Sequence, residues 1–132
     1  MWTNDIESII YTRIKIALNA KLKTKYKDLS FTNTDIVPQN PKFPTVYIHE
    51  LNGYEKANDL ENEEIHAVES SFQIEVTDNV SQARAKEVTN EVVKVMKKMK
   101  FSGTNMPEFQ NIDGYFRNVF RCRRTIGKDD VL

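Results

Sequence analysis

The stretch His66-Ala-Val-Glu-Ser-Ser-Phe-Gln-Ile-Glu-Val-Thr-Asp78-Asn-Val-Ser81, continued by a helical pattern to Phe101, decides how this chain folds. Val68, Ser70, Phe72, Ile74 and Val76 alternate with Glu69, Ser71, Gln73, Glu75 and Thr77. A period of two sends the two sets to opposite faces of a strand. Between Ser81 and Met99 the period changes. Ala85, Val88, Val92, Val95, Met96 and Met99 recur in steps of three and four, which makes one stripe along a helix. Only Asp78-Asn79-Val80 separates the two patterns. The helix must fold straight back onto the sheet to bury its stripe, and the rest of the chain has to complete that layer.

Upstream, residues 4–22 read as a first helix. Ile6, Ile9, Ile10, Ile14, Ala17, Leu18 and Leu22 form its expected apolar stripe. Asn4 and Glu7 have capping-box spacing, and Asp5 and Glu7 suit the positive end of the helix dipole. Lys21, Lys23, Lys25 and Lys27 then read as a solvated exit. Leu29–Asn33 fits a short strand. Pro38, Pro41 and Pro44 mark an irregular segment, because proline removes backbone donors and holds its predecessor extended. Thr45-Val-Tyr-Ile-His-Glu-Leu51 reads as the next strand.

Residues 52–65 lose the apolar signal and carry Glu55, Asp59, Glu61, Glu63 and Glu64 against a single Lys56. They read as a long acidic loop between two hairpin strands. Downstream of the second helix, Gly103 and Pro107 break the pattern. Tyr115–Ile126 is the last strand. Phe116, Asn118, Phe120, Cys122, Arg124 and Ile126 share one face; Tyr115, Arg117, Val119, Arg121, Arg123 and Thr125 share the other. A short polar tail, residues 127–132, is expected to be mobile.

The expected fold is therefore a single α+β domain over residues 1–132. It is a two-layer sandwich: a mixed, mostly antiparallel, four-stranded sheet with two amphipathic helices on one face. A length of 132 residues suits one core. Nineteen basic residues balance nineteen acidic ones, so net charge does not argue for nucleic acid or membrane as the main partner. No apolar run spans a bilayer, the first residues lack the pattern of a signal peptide, and one cysteine forms no internal disulfide. A reducing cytoplasm is the expected compartment.

The chemistry-bearing residues are sparse. His49 and His66 flank the acidic loop beside Glu64 and Glu69, but without the spacing of metal-ligand motifs. Cys122 alternates with arginines on the face expected to be buried, which suits a small apolar core residue better than a nucleophile. There is no glycine-rich phosphate loop and no serine elbow. The reading is of a protein without catalytic residues, cofactor or metal. The strongest polar feature is Arg117, Arg121 and Arg123, with alternate side chains about 7 Å apart along a strand. Two fates are open to them: neutralisation by Glu69 and Glu75 of the neighbouring strand, or pairing with the acidic loop of an adjacent copy. The second makes Glu55, Asp59, Glu61, Glu63, Glu64, Arg117, Arg121 and Arg123 inter-subunit contacts. Segregated charge of this kind suits head-to-tail association, which closes into a ring when the rotation permits.

Phe43-Pro-Thr-Val-Tyr-Ile-His-Glu-Leu51, Ser71-Phe-Gln-Ile-Glu-Val-Thr-Asp-Asn79, Ala83-Arg-Ala-Lys-Glu-Val88, Met96-Lys-Lys-Met99 and Tyr115-Phe-Arg…Arg121-Cys-Arg-Arg-Thr-Ile-Gly127 occur in this order. Together they resemble the tail terminator (tail completion, or head–tail joining) proteins of long-tailed bacteriophages and of prophages of Gram-positive bacteria. The resemblance implies a structural virion protein that forms a hexameric ring on the head-proximal end of the tail tube. Such a ring stops tube growth and offers the head-joining surface. The implied partners are other copies of the chain, the tail tube protein and the head–tail connector, with no membrane and no specific nucleic acid. The implied location is the virion, after assembly in the bacterial cytoplasm. A head-side connector (neck) protein is the alternative within that class. A nucleic-acid-binding module built on the arginine strand is the alternative outside it.

Overall fold

The computed structural model describes residues 5–33, 42–58, 65–103, 108–127, 129–130 and 132, and side chains among these except at 52–58, 65, 66 and 112. The elements run α1 (Ile6–Leu22), β1 (Ser30–Thr32), β2 (Thr45–Asn58), β3 (Ile65–Asp78), α2 (Gln82–Lys98), β4 (Ser102–Gly103), β5 (Glu108–Ile112) and β6 (Tyr115–Gly127). The fold is α+β, with two helices and a mixed six-stranded sheet in the order β1-β2-β3-β6-β4, and with β5 also paired to β6. β1 runs parallel to β2, and every other pairing is antiparallel.

The expected count of four strands is corrected to six. The two additional strands, β4 and β5, fall where the sequence reads as a break, and they share one flank of β6. β4 lies against Arg123 and Cys122, and β5 lies against Tyr115–Val119. β5 turns into β6 through Asp113 and Gly114, with φ of 50° and 81°. Two successive positive-φ residues match the right-handed twist of the flanking strands, and Asp-Gly is a preferred pair for such a turn. Space is not what requires glycine at 114, since an added Cβ there would meet no atom within 4 Å. The left-handed backbone is what requires it.

The acidic loop is also shorter than expected. β2 continues past Leu51 to Asn58, and β3 begins at Ile65. The register shifts between Leu51 and Tyr54, and again on both sides of Ala57. These irregularities hide the strand from a strict period of two. The remaining connection, 59–64, lies outside the described residues.

One face of the sheet and the inner stripes of both helices make the core. Phe72, Ile74, Val76, Val46, Ile48, Phe120, Cys122 and Ile126 meet Ile10, Ile14 and Leu18 of α1 and Ala85, Val88, Val92 and Met96 of α2. Ile9 is corrected: it is 40% exposed, and Ile16, one position off the expected stripe, is 63% exposed. The helix starts at Ile6 with Asp5 in the N-cap position and no side-chain cap; Asn4 lies outside the described residues. Lys21 and Lys25 are more than a solvated exit. They reach across to Glu91 and Glu87 of α2 at 3.0 and 2.9 Å. The Tyr26 hydroxyl donates to the same Glu87 at 2.8 Å.

The β3–α2 turn is tied by polar groups. Asp78 is fully buried. Its Oδ2 accepts the backbone N–H groups of Val80 and Ser81 at 3.3 and 3.1 Å and lies 3.4 Å from Arg84 Nε. Ser81 then caps α2, its hydroxyl accepting the Arg84 N–H. These bonds satisfy donors that a helix start leaves without partners. At the other end of the chain, Gly127 closes β6 instead of opening a loose tail. The Asp130 carboxylate accepts the Gly127 N–H at 2.8 Å, and Leu132 packs against the core.

Glu50 sits on the core-facing side of β2, in register with Phe72. Burial, reinforced by the negative charge of Glu7, pushes its carboxyl above the usual range. A raised folded-state pKa means that the folded chain binds more protons, so stability falls as pH rises through that pKa. Glu50→Gln is expected to melt about 2–4 °C above wild type at pH 7. The difference should shrink as pH drops toward the usual carboxylate range. Calorimetric melts at several pH values check this; a Gln variant that melts lower at pH 7 contradicts it.

Candidate assembly surface

The face of the sheet turned away from the helices is built in cross-strand rows. Tyr47, Glu75 and Val119 form one row. His49, Gln73 and Arg121 form the next, and Leu51, Ser71 and Arg123 the third. The alternation read from β3 and β6 puts these residues on the open face, and the burial along both strands follows it.

The arginines on this face find partners within their own chain. Arg117 pairs with Glu75. Arg121 Nε donates to Gln73 Oε1 at 2.8 Å, and the Gln73 amide donates to Glu75 at 3.0 Å. Arg123 lies 3.5 Å from Glu69, with its own side chain 62% exposed. Of the two fates open from sequence, the first is seen within the chain for Arg117 and Arg123, which pair with Glu75 and Glu69 of β3. Exposed pairs of this kind add little stability, about 1 kcal/mol or less each. Their effect is to fix the guanidinium groups in register along β3.

Of the acidic partners proposed for them, only Glu55 falls among the described residues. Glu55 lies in β2, its Cα opposite Val68, and its side chain is not described. Asp59, Glu61, Glu63 and Glu64 lie outside the described residues.

A second feature appears at the edge of the sheet beyond β6. β4 covers β6 only at Cys122 and Arg123. From Arg124 onward that edge has no strand partner among the described residues. A cleft of about 430 Å³ opens there, lined by Glu69, Lys100, Ser102, Arg123, Arg124 and Thr125. Arg124 reaches the other way: it donates to Met99 O at 2.9 Å and lies 3.4 Å from Asp130. Lys100 is exposed, has φ of 64° and makes no ion pair with a described residue. Nothing in the sequence pattern flagged Lys100, because its position depends on a left-handed residue between α2 and β4.

Cys122 and His49 sit in structural settings. Burial pushes the Cys122 thiol up to about 12, so the thiolate needed for nucleophilic chemistry is not formed at neutral pH. His49 stacks on Tyr47, with ring centroids 5.8 Å apart, and the His66 side chain is outside the description. Among the described residues no group of His, Cys, Asp or Glu side chains is arranged to hold a metal ion, and no helix is long and apolar enough to cross a membrane. Asn118, buried on the inner face, donates to Thr89 of α2 at 2.9 Å, and Thr89 donates to Ala85 O at 2.7 Å. That chain of hydrogen bonds pins α2 over β6 and went unread in the sequence. Comparison with known family models and with curated proteins gives no match to this chain.

Proposed function

We propose that this chain is a structural protein of a long-tailed bacteriophage or prophage, a tail terminator. Copies of it form a ring, hexameric by the resemblance, on the head-proximal end of the tail tube. The ring stops tube growth and offers the surface to which the head joins. The reading rests on the ordered sequence stretches given above. A two-layer arrangement, with helices on one face of the sheet and a polar face on the other, is compatible with it. The observation that carries it furthest is the segregation of charge along the chain: carboxylates at 59, 61, 63 and 64, and arginines at 117, 121, 123 and 124. Two unlike surfaces on one chain favour heterologous, ring-closing contacts over a two-fold pair.

The nucleic-acid reading is weakened by the same geometry, because Arg117, Arg121 and Arg123 are engaged by Glu75, Gln73 and Glu69. A phosphate-binding strand would hold such groups available for phosphates. The tail reading is tested in a phage that lacks this protein. Electron micrographs are expected to show overlong tails and unattached heads, and added protein is expected to cap purified tail tubes. Tails of normal length joined to heads in its absence would end the proposal.

A further inference from the structure

We infer that the outward face of α2 is a docking surface for the phosphate backbone of duplex nucleic acid, held by charge and without reading of base sequence. The inference stands on the helical layer alone and goes beyond the tail reading.

The first observation is how charge divides between the two layers. Residues 5–28 and 82–100 contain both helices. They hold twelve lysines and arginines against five aspartates and glutamates, although the whole chain is neutral. The helical layer is therefore cationic, and the net charge hides it. A cationic surface attracts a polyanion through its local field, whatever the charge of the rest of the molecule.

The second observation is where the cations stand. The buried stripe of α2 is Ala85, Val88, Val92 and Met96. Lys86, Asn90, Lys94 and Lys97 follow one another in steps of four, four and three on the opposite side, and all four are exposed. From Lys86 to Lys97 the row is about 16 Å long, close to the rise of about five nucleotides of one strand. The Asn90 amide adds a neutral donor of the kind that bonds phosphate oxygens. The two carboxylates of α2 are engaged on the side facing α1. Glu87 holds Lys25 and Tyr26, and Glu91 holds Lys21 and Lys94. Lys94 thus shares its acid with Lys21, and Lys86 and Lys97 pair with no acidic side chain among the described residues.

The third observation selects the kind of partner. The large apolar side chains exposed among the described residues are Ile9, Ile16, Val80, Phe109 and Tyr115, and none belongs to α2. Phe109 of β5 meets the row at Lys86, whose ammonium lies 4.8 Å over its ring. A protein partner is anchored by apolar or aromatic groups buried at the centre of the contact, and a helix lying on a membrane needs an apolar face. A row of lysines with an amide between them and no such anchor fits a string of phosphates.

Fluorescence anisotropy with the full chain and a duplex DNA of about 30 base pairs, titrated between about 50 and 200 mM salt, tests this. Wild type is expected to bind at low salt with a log–log slope of about −3, and equally to a duplex of scrambled sequence. Lys86→Gln with Lys97→Gln should bring the slope to about −1 and weaken binding at least tenfold at low salt. Lys97 also faces the negative end of α2, so Lys86→Gln is measured alone as well; it should lower the slope by about one. Arg121→Gln with Arg123→Gln, on the other face of the sheet, should leave the slope unchanged. Circular dichroism melts confirm that the variants are folded. Absence of binding at low salt overturns the inference, as does binding that the arginine pair abolishes and the lysine pair spares. Equal affinity for poly-glutamate or for vesicles of anionic phospholipid also overturns it, by assigning the face to an acidic protein or a membrane. Capping of tail tubes is a separate assay, so failure here leaves the tail reading standing.

Discussion

Phe72→Ala is expected to lower the unfolding free energy by about 3–5 kcal/mol. Phe72 is fully buried at the centre of β3. Glu50 of β2 lies in register on one side and Cys122 of β6 on the other. Its ring meets Phe101 edge-on, with centroids 5.7 Å apart and planes at 80°. Removing the ring deletes that aromatic contact and leaves a void under α2. The sheet cannot close the void, because β3 is held by ladders on both edges. Domains of this size are stable by about 5–15 kcal/mol, so the variant should sit close to its unfolding midpoint. Urea titration should show a lowered midpoint with an unchanged slope. A loss below about 1 kcal/mol would mean that the core is not centred on Phe72.

The second large effect is expected at the β3–α2 turn, where Asp78→Ala should cost about 2–4 kcal/mol. The substitution removes the acceptor of two backbone N–H groups, Val80 and Ser81, and the partner of Arg84. Asp78 itself is fully buried, whereas the Arg84 side chain is 26% exposed and recovers part of its hydration. Asp78→Asn separates the contributions. It keeps an oxygen acceptor for the turn and loses the charge, so it should cost roughly half as much. Denaturant titrations of both variants check the order. Equal losses would assign the whole effect to the ion pair.

The sequence patterns locate most of the scaffold. Alternation in Val68–Val76 and Phe116–Ile126, and the stripe from Ala85 to Met99, place the two central strands and α2. Each is long, and each buries one face only, which is the condition under which periodicity is informative. Three features escaped for physical reasons. β2 beyond Leu51 is broken by register shifts, so its side chains do not keep a single period. β5 is a short edge strand whose best signal, the Asp113-Gly114 turn, went unread behind the break at Gly103 and Pro107. Ile9 and Ile16 look alike in sequence to the buried isoleucines of α1, because apolar residues occur around more of that helix than the core can cover. For the candidate surface, composition named the arginines correctly as open-face residues. It could not choose between Glu69 or Glu75 and a neighbouring copy as their partners. Within the chain, cross-strand register sets Glu75 beside Arg117 and Glu69 beside Arg123.

The place of β6 in the sheet has a kinetic consequence. Phe72 and Cys122 lie side by side in the sheet although they are 50 residues apart in sequence. Synthesis runs from the N-terminus, so β2 and β3 are made before β6. During that interval β3 carries Phe72, Ile74 and Val76 with one edge of its ladder bare. Long-range pairings of this kind close slowly, because the loop entropy is lost before the contacts form. Glu69, Gln73 and Glu75, whose partners in the finished sheet include arginines of β6, then keep the waiting strand charged and hydrated. The same side chains that later hold the guanidinium groups in line act first as gatekeepers against premature strand addition.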